Sequence, residues 1–390
     1  MNNYCKRKYK EDKPVVAICY DFDKTLSPDD MQAQGYIQSI GYDILGFWNK
    51  SNSLATDNKM DQNLAYMFTM KEEATGKVLF TKKQLQEYGS KVSLFTGVEE
   101  WFERIRQYGI EKNVIVEHYI ISSGLQEMIE GTSIAQKGAF EKIYASSFYY
   151  NNKDVAIWPA QVINYTNKTQ FLFRIEKGIL DINDFGVNDY FSPEDLRVPF
   201  RNMIYIGDSD TDIPCMKLIN SYGGHSICVY DAKKNDKSKV YKMMRDGRIR
   251  YFAPADYSEG TELDCIVKAI IDRTATNEKL EEYYYKCKKE YLEEEKKISV
   301  ETLNKLDLIN SLENSRNFAN THIIIKKINK IENWEQKEKE KLFNIAINND
   351  QVKLILTDKD LFDFYNKLLK NYTLNDDNSK QVKKILENQV

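Results

Sequence analysis

Several things are scarce in this chain, and each scarcity removes a class of protein. Cysteine numbers six in 390 residues. No two stand in a Cys-x-x-Cys spacing, so neither a disulfide framework nor a zinc ribbon is written here. Cys19 and Cys228 lie inside apolar runs, where buried free thiols are expected. Histidine is scarcer: His118, His225 and His322 are scattered, and all three read as structural. No apolar run approaches the roughly 20 residues needed to cross a bilayer. The basic start Lys6-Arg7-Lys8 precedes an apolar stretch too short for a secretory leader. Charge of one sign is also lacking: 56 Lys and Arg stand against 59 Asp and Glu, a net charge of −3. Bulk attraction to nucleic acid or anionic membrane is therefore not expected. These absences together predict a cytoplasmic protein without a nucleic-acid or membrane partner. Glycine and proline, finally, stop early. Pro254 and Gly260 are the last, leaving the remaining 130 residues without a helix breaker.

What is present fits an α/β fold. The chain is 42% hydrophobic and long enough for two or three domains. Short, nearly continuous apolar runs at 15–21, 118–122, 142–147, 203–207 and 225–230 read as strands buried on both faces. Helical stretches at 125–131, 169–177 and 212–220 alternate with them, which predicts a Rossmann-like, doubly wound parallel sheet. Residues 151–161 read as a small hairpin. More than ninety residues between the first two runs are too many for one crossover and read as a helical cap inserted over the strand ends. The expected organisation is a core of 14–25 and 118–275, a cap of 26–117, and an all-α extension of 276–390. In the extension, 278–312 reads as one long helix, followed by helices at 316–331, 335–347 and 358–370, the last with Thr357 as N-cap. Phe318, Ile324, Ile328, Ile331, Trp334 and Leu342 supply apolar matter for a small bundle. It is either a packed appendage serving self-association or a surface that docks a protein partner.

Chemistry is concentrated at two strand ends. The first run closes on Asp21-Phe22-Asp23-Lys24-Thr25, and the run 203–206 closes on Gly207-Asp208-Ser209-Asp210-Thr211-Asp212. In a doubly wound sheet, ligands bind beyond the carboxyl ends of strands, at the point where strand order reverses. Carboxylates gathered there repel one another unless a cation or a shared proton relieves them. Such an arrangement suits attack on a phosphate ester, whose own oxygens repel nucleophiles. Asp21 suits the nucleophile and Asp23 the general acid and base. Thr25 reads as a residue that steadies the turn, orients an aspartate and contacts substrate. Asp208 with Asp21 offers hard oxygen ligands for Mg²⁺, with Asp212 as a further or outer ligand. Ser122 and Ser123, ahead of Gly124 at the end of the second run, are placed to hold phosphate oxygens. Lys168, at a helix start, is placed to neutralise both nucleophile and phosphoryl group, with Lys142, Lys153 and Lys177 as competitors.

This ordered set resembles the haloacid dehalogenase-like (HAD) superfamily. Asp21–Thr25, Ser122, Lys168 and Gly207–Asp212 match its four motifs in order, over an architecture covering about residues 14–275. The resemblance implies a Rossmann-like core, Mg²⁺ dependence, and a metal bound by Asp21, Asp208 and the main-chain carbonyl of Asp23. A helical insertion between the first two motifs is similar to the phosphoserine-phosphatase arrangement. The helical extension lies outside the family pattern. An acid at position 23 favours a phosphatase with an oxygen leaving group, and a large cap favours a small phosphorylated metabolite as substrate. Cap aromatics Tyr36, Tyr42, Phe47, Trp48, Tyr66 and Phe68 are expected to build cap core before they line a pocket. Against the enzyme stands a different class, a phosphate-sensing or interaction protein whose helical tail does the work.

Overall fold

The computed structural model describes residues 7–234, 236–297, 300–370, 372–373 and 376–387. It divides into two compact units, 1–283 and 284–390. The first is built on a seven-stranded sheet in the order β4-β3-β2-β1-β5-β6-β7. The strands are β1 (Val15–Tyr20), β2 (Ile115–Leu125), β3 (Lys142–Tyr150), β4 (Ala156–Gln161), β5 (Met203–Gly207), β6 (His225–Tyr230) and β7 (Tyr251–Pro254). All neighbours are parallel except β3 and β4, which form the antiparallel hairpin. This is the expected doubly wound α/β sheet, with β4 and β7 added at its edges.

Every residue of β1 is buried. Its side chains alternate between two apolar clusters. Val16, Ile18 and Tyr20 face one, and Val15, Ala17 and Cys19 face the other. A strand covered on both faces has no polar side to expose, hence the unbroken apolar run. Chain order runs from β1 to β2 on one side and to β5 on the other, so strand order reverses at β1. Tyr20 is in register with Ile120 and with Ile206. The residues that follow, Asp21 among them, therefore emerge at one level of the sheet.

Between β1 and β2 the chain forms helices Ile44–Asp57, Gln62–Ala74, Lys82–Gly89 and Val98–Glu111. The last of these lies on β2 and buries Trp101 and Phe102 beside Tyr20 and His118. It is a sheet-covering helix, although its sequence falls inside 26–117. Helix Lys82–Gly89 crosses helix Gln126–Gly131 closely enough that a Cβ on Gly89 would strike the Met128 carbonyl, and one on Gly131 that of Gln86. Glycine is required at both places for this approach.

A long helix, Glu262–Lys297, runs across the boundary between the units. Residues 298–299, within the expected helix 278–312, lie outside the described residues, and a separate helix spans Val300–Glu313. Helices Phe318–Ile328, Gln336–Asn348, Lys359–Lys370 and Asp377–Glu387 follow. Ile324, Ile328, Leu342, Phe364 and Leu386 belong to a core that this second unit builds for itself. Cys19, Cys215 and Cys228 are buried free thiols, and Cys265 and Cys287 are free and exposed. No described helix is long and apolar enough to cross a membrane.

Candidate active site

The Asp21 N–H donates to the Ile206 carbonyl (3.0 Å), the last bond between the two central strands. Beyond it the chain turns tightly: the Phe22 carbonyl accepts from the N–H groups of Thr25, Leu26 and Ser27. Lys24 adopts a left-handed backbone (φ 58°), a strained choice for a side chain of this kind. The turn leaves Asp21 and Asp23 facing the same cavity. One oxygen of Asp23 accepts from the Met31 N–H (2.8 Å), which fixes its carboxyl.

Lys168 immediately precedes helix Thr169–Lys177 and is fully enclosed. Its ammonium lies 3.1 Å from Asp21 Oδ2 and 2.8 Å from Asp212 Oδ1. The same Asp212 oxygen accepts from the Tyr205 hydroxyl (2.8 Å), and the other accepts from the Ser209 N–H (3.2 Å). Gly207 is needed here, because a Cβ would collide with the Asp212 carboxylate. Asp21, Asp208 and Asp212 each bring an oxygen within 4.8 Å of the others. Among the described residues, Asp208 has no hydrogen-bond donor of its own, and the nearest ammonium, that of Lys239, stands at 3.9 Å.

Three carboxylates with one enclosed lysine make a strongly negative, poorly solvated pocket. Burial pushes Asp21 up to about 6, with the Asp212 charge adding to it and Lys168 opposing. Burial, then repulsion from Asp212 and Asp21, pushes Asp208 up to about 7. Asp23 is raised well above the carboxylate range by burial, then by the charges of Asp30 and Asp21. That direction favours the protonated carboxyl.

These groups open on a cavity of about 590 Å³. Its floor is Asp21, Asp23, Asp208 and the loop Ser122-Ser123-Gly124. Its roof comes from the cap: Met60, Asp61, Gln62 and Asn63, at the start of helix Gln62–Ala74. Asn164, Tyr165, Ser209, Thr211, Lys24, Asp30 and Lys239 complete its lining. Asp61 caps that helix and accepts from the Asn164 side-chain amide (2.8 Å), while the Asn63 amide donates to the Ile163 carbonyl (2.7 Å). These bonds tie the roof to the core.

The structure thus brings Asp21, Asp23, Asp208, Asp212, Ser122, Ser123 and Lys168 together from sequence positions far apart. Three of the expected site residues, Thr25, Lys168 and Asp212, do not line the cavity. Thr25 is fully buried, and among the described residues its hydroxyl has no hydrogen-bond partner, an aspartate included, and does not line the cavity; its carbonyl instead accepts from the Tyr257 hydroxyl (2.9 Å). Lys168 makes the expected pairing with the nucleophile candidate Asp21 and also pairs with Asp212, enclosed beside the cavity. None of the six cap aromatics lines the cavity; Tyr36, Phe47 and Tyr66 are buried in the cap. The roof residues, Tyr205 and Lys239 carried no signal in the sequence, being common polar types whose roles arise only from folding. The three histidines have structural surroundings. His118, for one, is held neutral by burial between the Tyr20 hydroxyl and the Phe102 carbonyl.

The haloacid dehalogenase-like hydrolase family matches residues 18–217, from within β1 to within helix Ile213–Ser221. The chain belongs to the HAD-like hydrolase family. Among curated proteins, an uncharacterized protein of Borreliella burgdorferi is 27% identical over 282 residues, 65% of this chain and 95% of its own length. Solved structures similar to this hydrolase include a HAD family hydrolase from Salmonella enterica, 15% identical with a TM-score of 0.45 over 67% of this chain and 73% of the other. A probable phosphoserine phosphatase from Vibrio cholerae is 11% identical, with a TM-score of 0.46 over 68% and 67%. A cytosolic 5'-nucleotidase IIIB bound to cytidine is 12% identical, with a TM-score of 0.42 over 67% and 87%. In this HAD-like hydrolase, the matched region takes in Asp21, Asp23, Ser122, Lys168, Asp208 and Asp212.

Proposed function

We propose that this hydrolase is a Mg²⁺-dependent phosphatase that cleaves a small-molecule phosphomonoester through an aspartyl-phosphate on Asp21. The observation that carries the reading is the unequal surroundings of two neighbouring carboxyls that line one cavity. Asp21 is held 3.1 Å from the Lys168 ammonium, whereas among the described residues Asp23 pairs with no ammonium, and burial, then the charges of Asp30 and Asp21, favours its protonated form. A charged nucleophile beside a protonated acid is the division of labour that transfer from an oxygen leaving group requires.

The donor set fits a hard dication. Carboxylate oxygens of Asp21, Asp208 and Asp212 converge, only one enclosed lysine offsets them, and the Asp208 carboxylate is without a donor among the described residues. Asp21 and Asp208, with the Asp23 carbonyl, would hold Mg²⁺, and Asp212 would stand behind them, since both its oxygens already accept hydrogen bonds. Bound there, the ion would neutralise charge on the phosphoryl oxygens.

A carboxylate oxygen of Asp21 attacks phosphorus as the bond to the leaving oxygen breaks, and Asp23 gives its proton to that oxygen. Ser122, at the cavity floor, has a hydroxyl to donate to the phosphoryl group. Asp23, now charged, takes a proton from an entering water as the water attacks phosphorus. The bond to Asp21 then breaks, releasing inorganic phosphate and restoring both aspartates. The roof would exclude bulk water during these steps. The test is phosphate release from a panel of small phosphomonoesters and an aryl phosphate, with Mg²⁺ or with EDTA. Release that needs Mg²⁺ and is lost in a folded Asp21→Asn variant is expected. Full activity of that variant would overturn the reading.

A further inference from the structure

We infer that Tyr66, a cap residue outside the cavity, is a positioning residue that sets the hydrogen-bond direction of Ser122. The inference rests on the phosphatase reading above. Tyr66 lies in helix Gln62–Ala74 with 5% of its surface exposed. Its hydroxyl donates to the Ser123 carbonyl (2.7 Å), which also accepts from the Ser146 hydroxyl (3.1 Å). Two donors hold that carbonyl on the side of the cap helix and β3. The Ser123–Gly124 peptide is planar and trans, so its N–H must point the opposite way. That N–H, on Gly124, donates to the Ser122 hydroxyl oxygen (3.0 Å). An oxygen already accepting there keeps its own proton for another acceptor. Ser122 is 1% exposed and its cavity side is the one left open, so that acceptor is a phosphoryl oxygen.

The loop has little freedom to do otherwise. A Cβ at Gly124 would meet Asp23 Oδ2 at 3.0 Å and strike the Met31 side chain, so the backbone already runs against the general acid. Rotating the Ser123–Gly124 peptide would release the carbonyl from Tyr66 and take the N–H from Ser122 in one motion. The cap helix thus supplies one of the two hydrogen bonds that set the direction of Ser122, and the core strand β3 supplies the other.

The experiment measures affinity for inorganic phosphate by calorimetry in Mg²⁺ buffer, a readout independent of turnover. Tyr66→Phe removes one hydroxyl and is expected to weaken phosphate binding roughly tenfold, the scale of one lost hydrogen bond. Tyr36→Phe, whose hydroxyl donates to the Met70 carbonyl within the cap, is the control for general cap loosening and should leave affinity unchanged. In a Ser122→Ala background, Tyr66→Phe should add nothing, because the route runs through that side chain. Unchanged affinity in Tyr66→Phe, or an equal loss with and without Ser122, would overturn the inference while leaving the phosphatase reading intact. A wild-type protein that neither binds phosphate nor hydrolyses the panel would overturn both. Should Tyr66→Phe fail to fold, Ser146→Ala loosens the same carbonyl and must weaken phosphate in the same direction.

Discussion

One buried ammonium, that of Lys168, serves two carboxylates, and this makes it the residue on which site and fold both depend. Burial alone would lower its pKa, but the charges of Asp21 and Asp212 outweigh burial and hold it raised. Removing one member of a buried ionic set leaves the others uncompensated, which costs about 3–5 kcal/mol. Lys168→Met is therefore expected to lower the unfolding free energy by that order, seen as a lower denaturant midpoint, and to abolish phosphate release; an unchanged midpoint would show that Asp21 and Asp212 do not need it. The sequence singled out Lys168 from its position ahead of a helix, and that position does bring it beside Asp21. Lys177, a competitor, instead spends its ammonium on the carbonyls of Val187 and Asp189. The sequence could not show that Lys168 would be walled off from the cavity. Nor could it show that the Thr25 hydroxyl would be buried without a partner, because both outcomes depend on which atoms other segments bring.

Strand β2 shows what an element can carry that its pattern does not announce. Neighbouring side chains on it, Glu117 and His118, face opposite sides of the sheet, and both titrate far from their ordinary values. Burial would raise Glu117, but Arg197, Lys8 and Tyr119 hold it down to about 2. Burial, with the Arg106 charge, pushes His118 down to about 3. Each group takes up a proton more readily when unfolded, so each contributes stability that disappears on acidification. For His118 the loss begins near the ordinary value of 6.5 and runs down to about 3; for Glu117 it runs from 4.5 to about 2. By pH 4 the His118 contribution alone should have fallen by about 3 kcal/mol. Chemical denaturation between pH 7 and 4 checks this, and flat stability across that range would contradict the burial of a neutral His118. The central strands themselves were legible: 203–207 and 225–230 are found with those limits, because full burial demands unbroken apolar runs. Strand β7 was not, being four residues long, only partly buried at Tyr251 and Phe252, and closed by Pro254. The long helix begins at Glu262, well ahead of the expected 278, since the chain between them lacks a breaker but also lacks an obvious start signal.

At the scale of the whole molecule, every residue of the site lies in the first unit, and the second builds its own core. Removing residues 284–390 is thus expected to leave a cooperatively folded hydrolase with phosphate release unchanged. Loss of activity on truncation, measured beside the intact chain, would show that the tail is needed for catalysis. The proposed reaction passes through a covalent bond to Asp21, and one variant exposes it. In Asp23→Asn, an aryl phosphate, whose leaving group needs no proton, can still phosphorylate Asp21, but no base remains to activate the water that releases it. Mass spectrometry of that variant after incubation with Mg²⁺ and an aryl phosphate should find one added phosphoryl group on the peptide containing Asp21. No adduct, or an adduct on any other residue, would contradict the mechanism.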